Sequence, residues 1–144
     1  MIDAPPVKEL TIRGGRASDA GALGELFEAQ AMGPCGDPTE FVVVECAGTL
    51  AGAARAERLA GQTWLRPIVV EPSLQRRGIG SILLTELLYR HESLCLVARG
   101  GSAQFYRRHG FAEMSWDEVA PSLRAECEEC PDRVECHPLP MRHA

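Results

Sequence analysis

Residues 67–81 read Pro67-Ile68-Val69-Val70-Glu71-Pro72-Ser73-Leu74-Gln75-Arg76-Arg77-Gly78-Ile79-Gly80-Ser81. The stretch opens as an apolar run with β-branched side chains, which predicts a buried strand. The Glu-Pro-Ser segment ends that strand, because proline has no N–H to donate to a sheet and biases the preceding residue away from helix. Leucines at helical spacing then continue to Leu88 without proline or glycine, so a helix follows. The unit is therefore a strand, a basic glycine-rich turn and a helix.

Residues 76–81, which we call the cradle, have the chemistry of an anion site. A helix N-terminus presents backbone N–H groups without intrahelical partners, and the helix dipole adds positive potential there. Glycines at 78 and 80 leave room for an anion to approach those groups, and Arg76 and Arg77 add charge suited to a diphosphate. The spacing is not that of a P-loop, since no Gly-Lys-Ser/Thr ends it, nor of a dinucleotide fingerprint, since a third glycine is missing.

Two strings of the chain resemble signatures of one family. The spacing from Gln75 to Gly80 resembles the Q/R-x-x-G-x-G/A signature with which GNAT N-acetyltransferases bind the pyrophosphate of acetyl-CoA. The string from Ala103 to Phe111, with Tyr106 inside it, resembles the family's A-x-x-x-Y-x-x-x-G-F signature and follows in the family's order. The resemblance implies an α+β fold with α/β/α layers. Its mixed, mostly antiparallel sheet would contain a central parallel strand pair that splays to hold acetyl-CoA.

The resemblance also implies roles for particular residues. Backbone groups of Ile68, Val69 and Val70 would hold the pantetheine and the acetyl carbonyl. Tyr106 falls on the tyrosine that in many members donates a proton to the CoA sulfur; the alternative is an amphipathic core residue whose hydroxyl finds any partner. The residues implied to hold the pyrophosphate are Arg76, Arg77, Gly78, Ile79, Gly80 and Ser81.

The acceptor side departs from the family's pattern at Trp64. Many relatives carry a glutamate there, four residues before the first CoA-holding position, as general base. Glu45 and Glu57 are stand-ins on neighbouring strands that nothing in the sequence orients, so no base is assigned. Arg66 shares a strand face with Trp64, so both are expected to bind the acceptor, and the arginine fork suits a carboxylate. The alternative is a strand arginine paired with a surface glutamate.

The string from Trp64 to Val70 resembles the corresponding strand of the arsenic-resistance-type and N-acetylglutamate-synthase-like branches of the family, and similar cysteine-rich tails occur in both. The tail of this chain holds Cys127-x-x-Cys130 and then Cys136. A C-x-x-C step is a zinc half-site, but a complete second half is missing, so no metal site is assigned. Reduced thiols rank before zinc at these three cysteines, and a disulfide ranks last. The remaining cysteines, at 35, 46 and 95, are expected to be small buried hydrophobes.

Local patterns predict the other elements. We expect strands at 7–13, 41–46, 49–58 and 63–70, the last three forming an antiparallel meander. A strand at 94–98 should run parallel to the one at 63–70. A helix is expected from an N-cap at Ser18 to about residue 31, then a loop over 32–39; the resemblance places the family's second helix or its equivalent loop there, in a shortened version. A short helix over 103–109 should lie between Ser102 and Gly110.

Length and charge limit the remaining choices. The chain has 144 residues, which predicts a single N-acetyltransferase domain with a core at about 7–116 and a tail at about 117–144. A net charge of −5 argues against a nucleic-acid partner, and no apolar run is long enough for a membrane. We therefore expect a cytoplasmic enzyme, with a homodimer left open. It would acetylate the amine of a small amino-acid-like acceptor; the alternatives are acetylation of protein N-termini and a catalytically weak CoA-binding module.

Overall fold

A computed structural model describes residues 10–33 and 36–143. Its sheet has seven strands in the order β1-β2-β3-β4-β5-β7-β6. The strands are β1 Leu10–Gly14, β2 Phe41–Cys46, β3 Thr49–Leu59, β4 Gln62–Val70, β5 Leu94–Ala98, β6 Ala112–Glu113 and β7 Leu139–His143. The helices are α1 Ala20–Ala29, α2 Ile79–Arg90, α3 Ala103–Arg108, α4 Pro121–Glu129 and α5 Arg133–Cys136.

The sheet confirms the predicted fold class. β1 and β2 pair antiparallel, as do β2 and β3, while β4 and β5 pair parallel through Trp64 and Cys95. The β2–β3 hairpin turns through Ala47 and Gly48, whose φ angles of 52° and 84° both lie in the left-handed region, as a two-residue hairpin loop requires. The fold is a mixed, mostly antiparallel sheet with one parallel pair.

The predicted start of the first helix is wrong. Ser18 is exposed inside a 3₁₀ turn over Ala17–Asp19, and α1 begins at Ala20. The side chain that bonds to the backbone there is that of Asp19 rather than Ser18: its carboxylate accepts a hydrogen bond from the Arg16 N–H at 2.7 Å. The helix also ends earlier than expected, at Ala29.

Two other boundaries differ slightly. The first strand begins at Leu10 among the described residues, and the predicted residues 7–9 lie outside them. Helix α3 stops at Arg108, one residue before the predicted end, with the Gly110 φ of 90° following it. The N–H of Phe111 then returns to the Tyr106 carbonyl at 3.1 Å, which is how a glycine-terminated helix satisfies its last carbonyls.

The chain forms two compact units, and the first contains α1, α2, β1, β2, most of β3 and the end of β4. Leu23, Leu26 and Phe27 of α1 pack on one face of the sheet, against a cluster that includes Val43 and Val69. Helix α2 packs on the opposite face. Successive residues of a strand point to opposite faces: Ala53 belongs to the cluster packed by α1, whereas a Cβ on Gly52 would lie only 2.9 Å from Ile79 Cγ2 of α2. Gly52 therefore lets the start of α2 approach the sheet closely.

The second unit contains residues 57–65 and 91–143. Its apolar cluster brings Trp64 and Cys95 together with Val119, Ala120 and Leu123. β5 pairs with β7 over five residue pairs, and β7 continues to β6. Cys95 is buried here and Cys46 in the first unit, as the sequence predicted, while Cys35 lies outside the described residues. Across residues 10–33 and 36–143, no helix is both long enough and apolar enough to cross a membrane. The single domain expected from the chain length stays a prediction.

Candidate functional site

The C-terminal end of β4 carries the three residues predicted to hold the acetyl donor. Val69 is buried, while Ile68 and Val70 are half-buried. The Val70 carbonyl accepts hydrogen bonds from the side-chain amides of Gln30, at 3.1 Å, and Gln75, at 3.3 Å. A carbonyl oxygen has two lone pairs, so these two amides occupy the Val70 oxygen.

The cradle follows a tight turn. Glu71 caps a 3₁₀ helix over Pro72–Leu74, accepting hydrogen bonds from both the backbone N–H and the hydroxyl of Ser73. Arg76 and Gly78 then adopt left-handed φ angles of 67° and 85°, and α2 begins at Ile79. Such a turn lays exposed arginines and the first backbone N–H groups of a helix along one short stretch, which is the arrangement that binds phosphate groups in proteins.

Arg55 on β3 fixes the backbone of β4 beside Arg66. Its Nε donates to the Arg66 carbonyl at 2.8 Å, and its Nη1 pairs with Glu40 at 3.2 Å. The Arg55 guanidinium also lies 5.9 Å from the centre of the Phe41 ring. The backbone at Arg66 is thus held from the neighbouring strand, and the Arg66 residue itself is half-buried.

Trp64 lies in the second unit and is fully buried, with 0% of its surface exposed. The ring packs against Val119, Ala120 and Leu123 of the later chain. Among the described residues, its indole Nε1 meets no hydrogen-bond partner, and a buried donor without a partner destabilises a protein. The sequence places Trp64 on the acceptor side, and that role stays a prediction.

Tyr106 lies in α3 and is buried, with 8% of its surface exposed. Its ring meets Phe105 and Phe111 edge-on, at centroid distances of 5.1 and 5.7 Å. Burial raises the pKa of Tyr106 to about 12, because a low-polarity surrounding disfavours the phenolate. The hydroxyl therefore stays protonated throughout the physiological range. Tyr106 and Trp64 belong to the second unit, whereas Arg66, the strand end and the cradle belong to the first.

Glu45, one of the two carboxylates considered as a base, is engaged elsewhere. Its Oε2 accepts from Arg13 at 2.8 Å, and Arg13 also binds both oxygens of Asp19. This network ties β1 to β2 and to the start of α1. Glu45 is therefore a structural ion-pair partner.

The cysteines of the tail are free thiols. Cys130 is exposed, and Cys127 and Cys136 are half-buried. Within residues 10–33 and 36–143, no three His, Cys, Asp or Glu side chains are arranged to hold a metal ion.

Sequence reasoning missed Gln30 and Arg55. Gln30 is a polar residue at the end of an amphipathic helix, and its amide reaches Val70, forty residues further along the chain. Arg55 interrupts the apolar run of β3, and that interruption was a signal that the side chain needs a buried partner. Neither partner can be identified until the strands are placed side by side.

Comparisons with solved structures show the same fold. N-acetylglutamate synthase from Neisseria gonorrhoeae, complexed with coenzyme A and N-acetyl-glutamate, superimposes with a TM-score of 0.76 at 18% identity over 93% of this chain. The chain spans only 34% of that synthase. Rv2747 from Mycobacterium tuberculosis, in complex with CoA, gives 0.76 at 19% identity, covering 93% of this chain and 98% of that one.

A third structure extends the range of relatives. The ribosomal-protein-S18-alanine N-acetyltransferase from Escherichia coli gives a TM-score of 0.70 at 19% identity, covering 93% of this chain and 92% of that one. No curated protein sequence matches the chain significantly.

The family itself follows from a sequence model. The model of the acetyltransferase (GNAT) domain matches residues 37–113, which is more than half of the 144 residues. The match runs through β4, the cradle and the helix that carries Tyr106. The strand, the turn and the helix over residues 67–88 thus lie inside the match, and the chain belongs to the acetyltransferase (GNAT) family.

Proposed function

We propose that this enzyme acetylates the amine of a small amino-acid-like acceptor whose carboxylate meets Arg66. Acetyl-CoA would bind with its pyrophosphate on the cradle and its acetyl arm along backbone groups of Ile68, Val69 and the Val70 N–H. The acceptor's amine would attack the thioester carbonyl, the C–S bond would break and CoA would leave as a thiolate, and water would carry the proton lost by the amine nitrogen to that thiolate. We keep the cytoplasmic location and the open question of a homodimer as expectations from the sequence.

The observation that carries this proposal is the way Arg66 is held. The Arg55 hydrogen bond fixes the Arg66 carbonyl, so the root of the Arg66 side chain is positioned before any ligand arrives. The planar guanidinium at the end of that side chain can bind a carboxylate with two parallel hydrogen bonds. Binding energy from a remote carboxylate can then orient the reacting amine.

We propose that the Tyr106 hydroxyl stabilises the departing sulfur with a hydrogen bond. Because its pKa is about 12, the hydroxyl always carries a proton and can donate a hydrogen bond to the forming thiolate. A thiol with a pKa of about 8.5 is the stronger acid. Transfer of the proton from Tyr106 would leave a buried phenolate, which costs more free energy than a hydrogen bond from the intact hydroxyl. Tyr106 therefore donates a hydrogen bond, and the thiolate takes up its proton from water.

The test compares free acids with their amides. Wild-type protein should release CoA faster with amino acids than with the matching amides or decarboxylated amines. Arg66→Ala should erase that preference without weakening acetyl-CoA binding, and Arg66→Lys should restore only part of it because lysine lacks the planar fork. Equal rates for an acid and its amide with the wild-type protein would remove Arg66 from the acceptor site.

A second candidate function is acetylation of protein N-termini. It is supported by the similarity to the ribosomal-protein-S18-alanine N-acetyltransferase over nearly the whole length of both chains. The absence of a carboxylate at position 64 also favours it, since a peptide α-amine with a pKa of about 7.7–8.0 loses its proton near neutral pH more readily than the amine of a free amino acid, whose neighbouring carboxylate stabilises the ammonium form. A peptide acceptor has no carboxylate next to its α-amine, so its rate should not depend on Arg66.

A third candidate, a CoA-binding module with weak catalysis, is supported by the same substitution of tryptophan for a base. It predicts stabilisation by acetyl-CoA without CoA release for any amine in the panel. The acid, amide and peptide series therefore separates all three candidates.

A further inference from the structure

The end of α4 and the short helix α5 bring together thiols that the acetyltransferase reaction does not use. Cys127 lies in the last turn of α4, Cys130 follows the end of that helix, and Cys136 ends α5.

Cys127 and Cys130 are the first and fourth residues of a turn at the end of α4. The Cys130 N–H donates to the Cys127 carbonyl at 3.3 Å, and the Arg133 N–H donates to the Cys130 carbonyl at 3.2 Å. A turn closed in this way has the Cα atoms of its first and fourth residues less than about 7 Å apart, and a disulfide needs Cα atoms about 4.4–6.8 Å apart. The turn therefore brings the two thiols within range of a disulfide with only side-chain rotation and a small backbone adjustment.

The two thiols differ in accessibility. Cys130 is exposed and Cys127 is half-buried, whereas Cys46 and Cys95 are only 7% and 1% exposed. Burial raises the pKa of Cys127, and the neighbouring Cys136 adds to the effect, so Cys127 remains a protonated thiol at neutral pH. An oxidant in solution meets Cys130 first.

The surroundings of this turn select among oxidants. Five exposed carboxylates follow one another between residues 126 and 135, against one arginine in the same interval. The carboxylates are Glu126, Glu128, Glu129, Asp132 and Glu135. Negative potential of this kind repels an anionic reagent such as glutathione disulfide and leaves a neutral molecule unaffected.

We propose that Cys127 and Cys130 are a modification site, at which a neutral peroxide forms a disulfide. The Cys130 sulfur attacks one oxygen of hydrogen peroxide, the O–O bond breaks, and hydroxide leaves and takes up a proton as water. The Cys127 sulfur then attacks the Cys130 sulfur, the S–S bond forms, the S–O bond breaks, and the second oxygen leaves as water. Two thiols and one peroxide thus become one disulfide and two waters.

Trypsin digestion can locate this disulfide, because the cleavage sites divide the tail favourably. Cleavage after Arg124, Arg133 and Arg142 leaves Cys127 and Cys130 in one peptide, 125–133, and Cys136 in the next, 134–142. Full-length reduced protein is treated with hydrogen peroxide, then with N-ethylmaleimide, and digested. Peptide 125–133 should lose both maleimide adducts and be lighter than its dithiol form by the mass of two hydrogen atoms.

Matched variants check the assignment. Cys136→Ser should leave the result unchanged, and Cys130→Ser should keep the Cys127 thiol open to alkylation. Glutathione disulfide at the same concentration should react more slowly, with added salt reducing the difference. An unchanged dithiol peptide, a cross-link to 134–142, oxidation of Cys130 beyond the disulfide level, or a faster reaction with glutathione disulfide would each overturn the proposal.

Discussion

Tyr106 shows how a single buried side chain can serve both packing and chemistry. Tyr106→Phe keeps the edge-on contacts with Phe105 and Phe111 and removes only the hydroxyl. We expect turnover to fall about tenfold or more, because the proposed hydrogen bond from the hydroxyl to the departing sulfur acts mainly in the transition state. The dissociation constant for acetyl-CoA should change little. Pre-steady-state CoA release measures the first quantity and calorimetry the second.

Unchanged turnover in Tyr106→Phe, measured where the chemical step limits the rate, would leave Tyr106 with the packing role alone. The Tyr89→Phe variant is a suitable control, because that tyrosine is 87% exposed and its hydroxyl should not affect the reaction.

Arg13 pairs with both Asp19 and Glu45, so its charge contributes to the stability of the first unit. The hydrogen bond from Arg13 lowers the pKa of Asp19 to about 2. A carboxylate with a lowered pKa contributes stability that is present above its unfolded value, about 3.9, and is lost as pH falls through the folded value. Arg13→Leu should lower the free energy of unfolding by about 3 kcal/mol at pH 7. The difference from wild type should shrink between about pH 4 and pH 2.

Urea denaturation at several pH values measures this effect. Arg90→Leu is the matched control, because Arg90 forms an ion pair with Glu86 at 2.7 Å on the exposed face of α2, and such pairs contribute about 0.5 kcal/mol or less. A pH-independent difference for Arg13→Leu would mean that the network does not hold Asp19 ionised.

The cradle is the element proposed to bind the pyrophosphate of acetyl-CoA, and its glycines allow a controlled experiment. Gly80→Asp would place a carboxylate in the first turn of α2, where the pyrophosphate is proposed to bind. We expect the variant to fold and to lose the thermal stabilisation that acetyl-CoA gives the wild-type protein. A full shift of the melting temperature in Gly80→Asp would mean that the pyrophosphate binds elsewhere.

Gly78→Ala and Gly48→Ala separate backbone strain from ligand contact. Both glycines have φ angles near +85°, and a Cβ would meet nothing within 4 Å at either position. Each substitution should therefore lower the free energy of unfolding by a similar amount, about 1 kcal/mol. Only Gly78→Ala, within the cradle, should also weaken acetyl-CoA binding.

Elements with local signals were predicted closely from the sequence. Strand β5 matches its predicted bounds, and α2 follows its leucine spacing. Both are determined by the pattern of apolar residues within the element itself. The start of α1 was not predicted, since Ser18 and Asp19 are both good caps and the choice depends on Arg13, on a different element. Distant partners decide such boundaries.

The residues of the candidate site differ in how far the sequence identifies them. Those carried by a signature, such as the cradle and Tyr106, could be proposed from the sequence, and their roles stay predictions. Trp64 illustrates the limit: strand alternation assigns it a face but does not reveal that Val119, Ala120 and Leu123, more than fifty residues later, pack against it. Gln30 and Arg55 were missed for the same reason, because their partners are carbonyl oxygens of another strand.

At the scale of the whole molecule, the sheet, the cradle and the family match support one activity, transfer of an acetyl group to an amine. The most direct test incubates the wild-type protein with acetyl-CoA and a mixture of free amino acids and quantifies released CoA and N-acetylated products by mass spectrometry. We predict equal amounts of the two, with both strongly reduced in Gly80→Asp and Tyr106→Phe. Binding of acetyl-CoA without any N-acetylated amino acid would contradict the proposed activity.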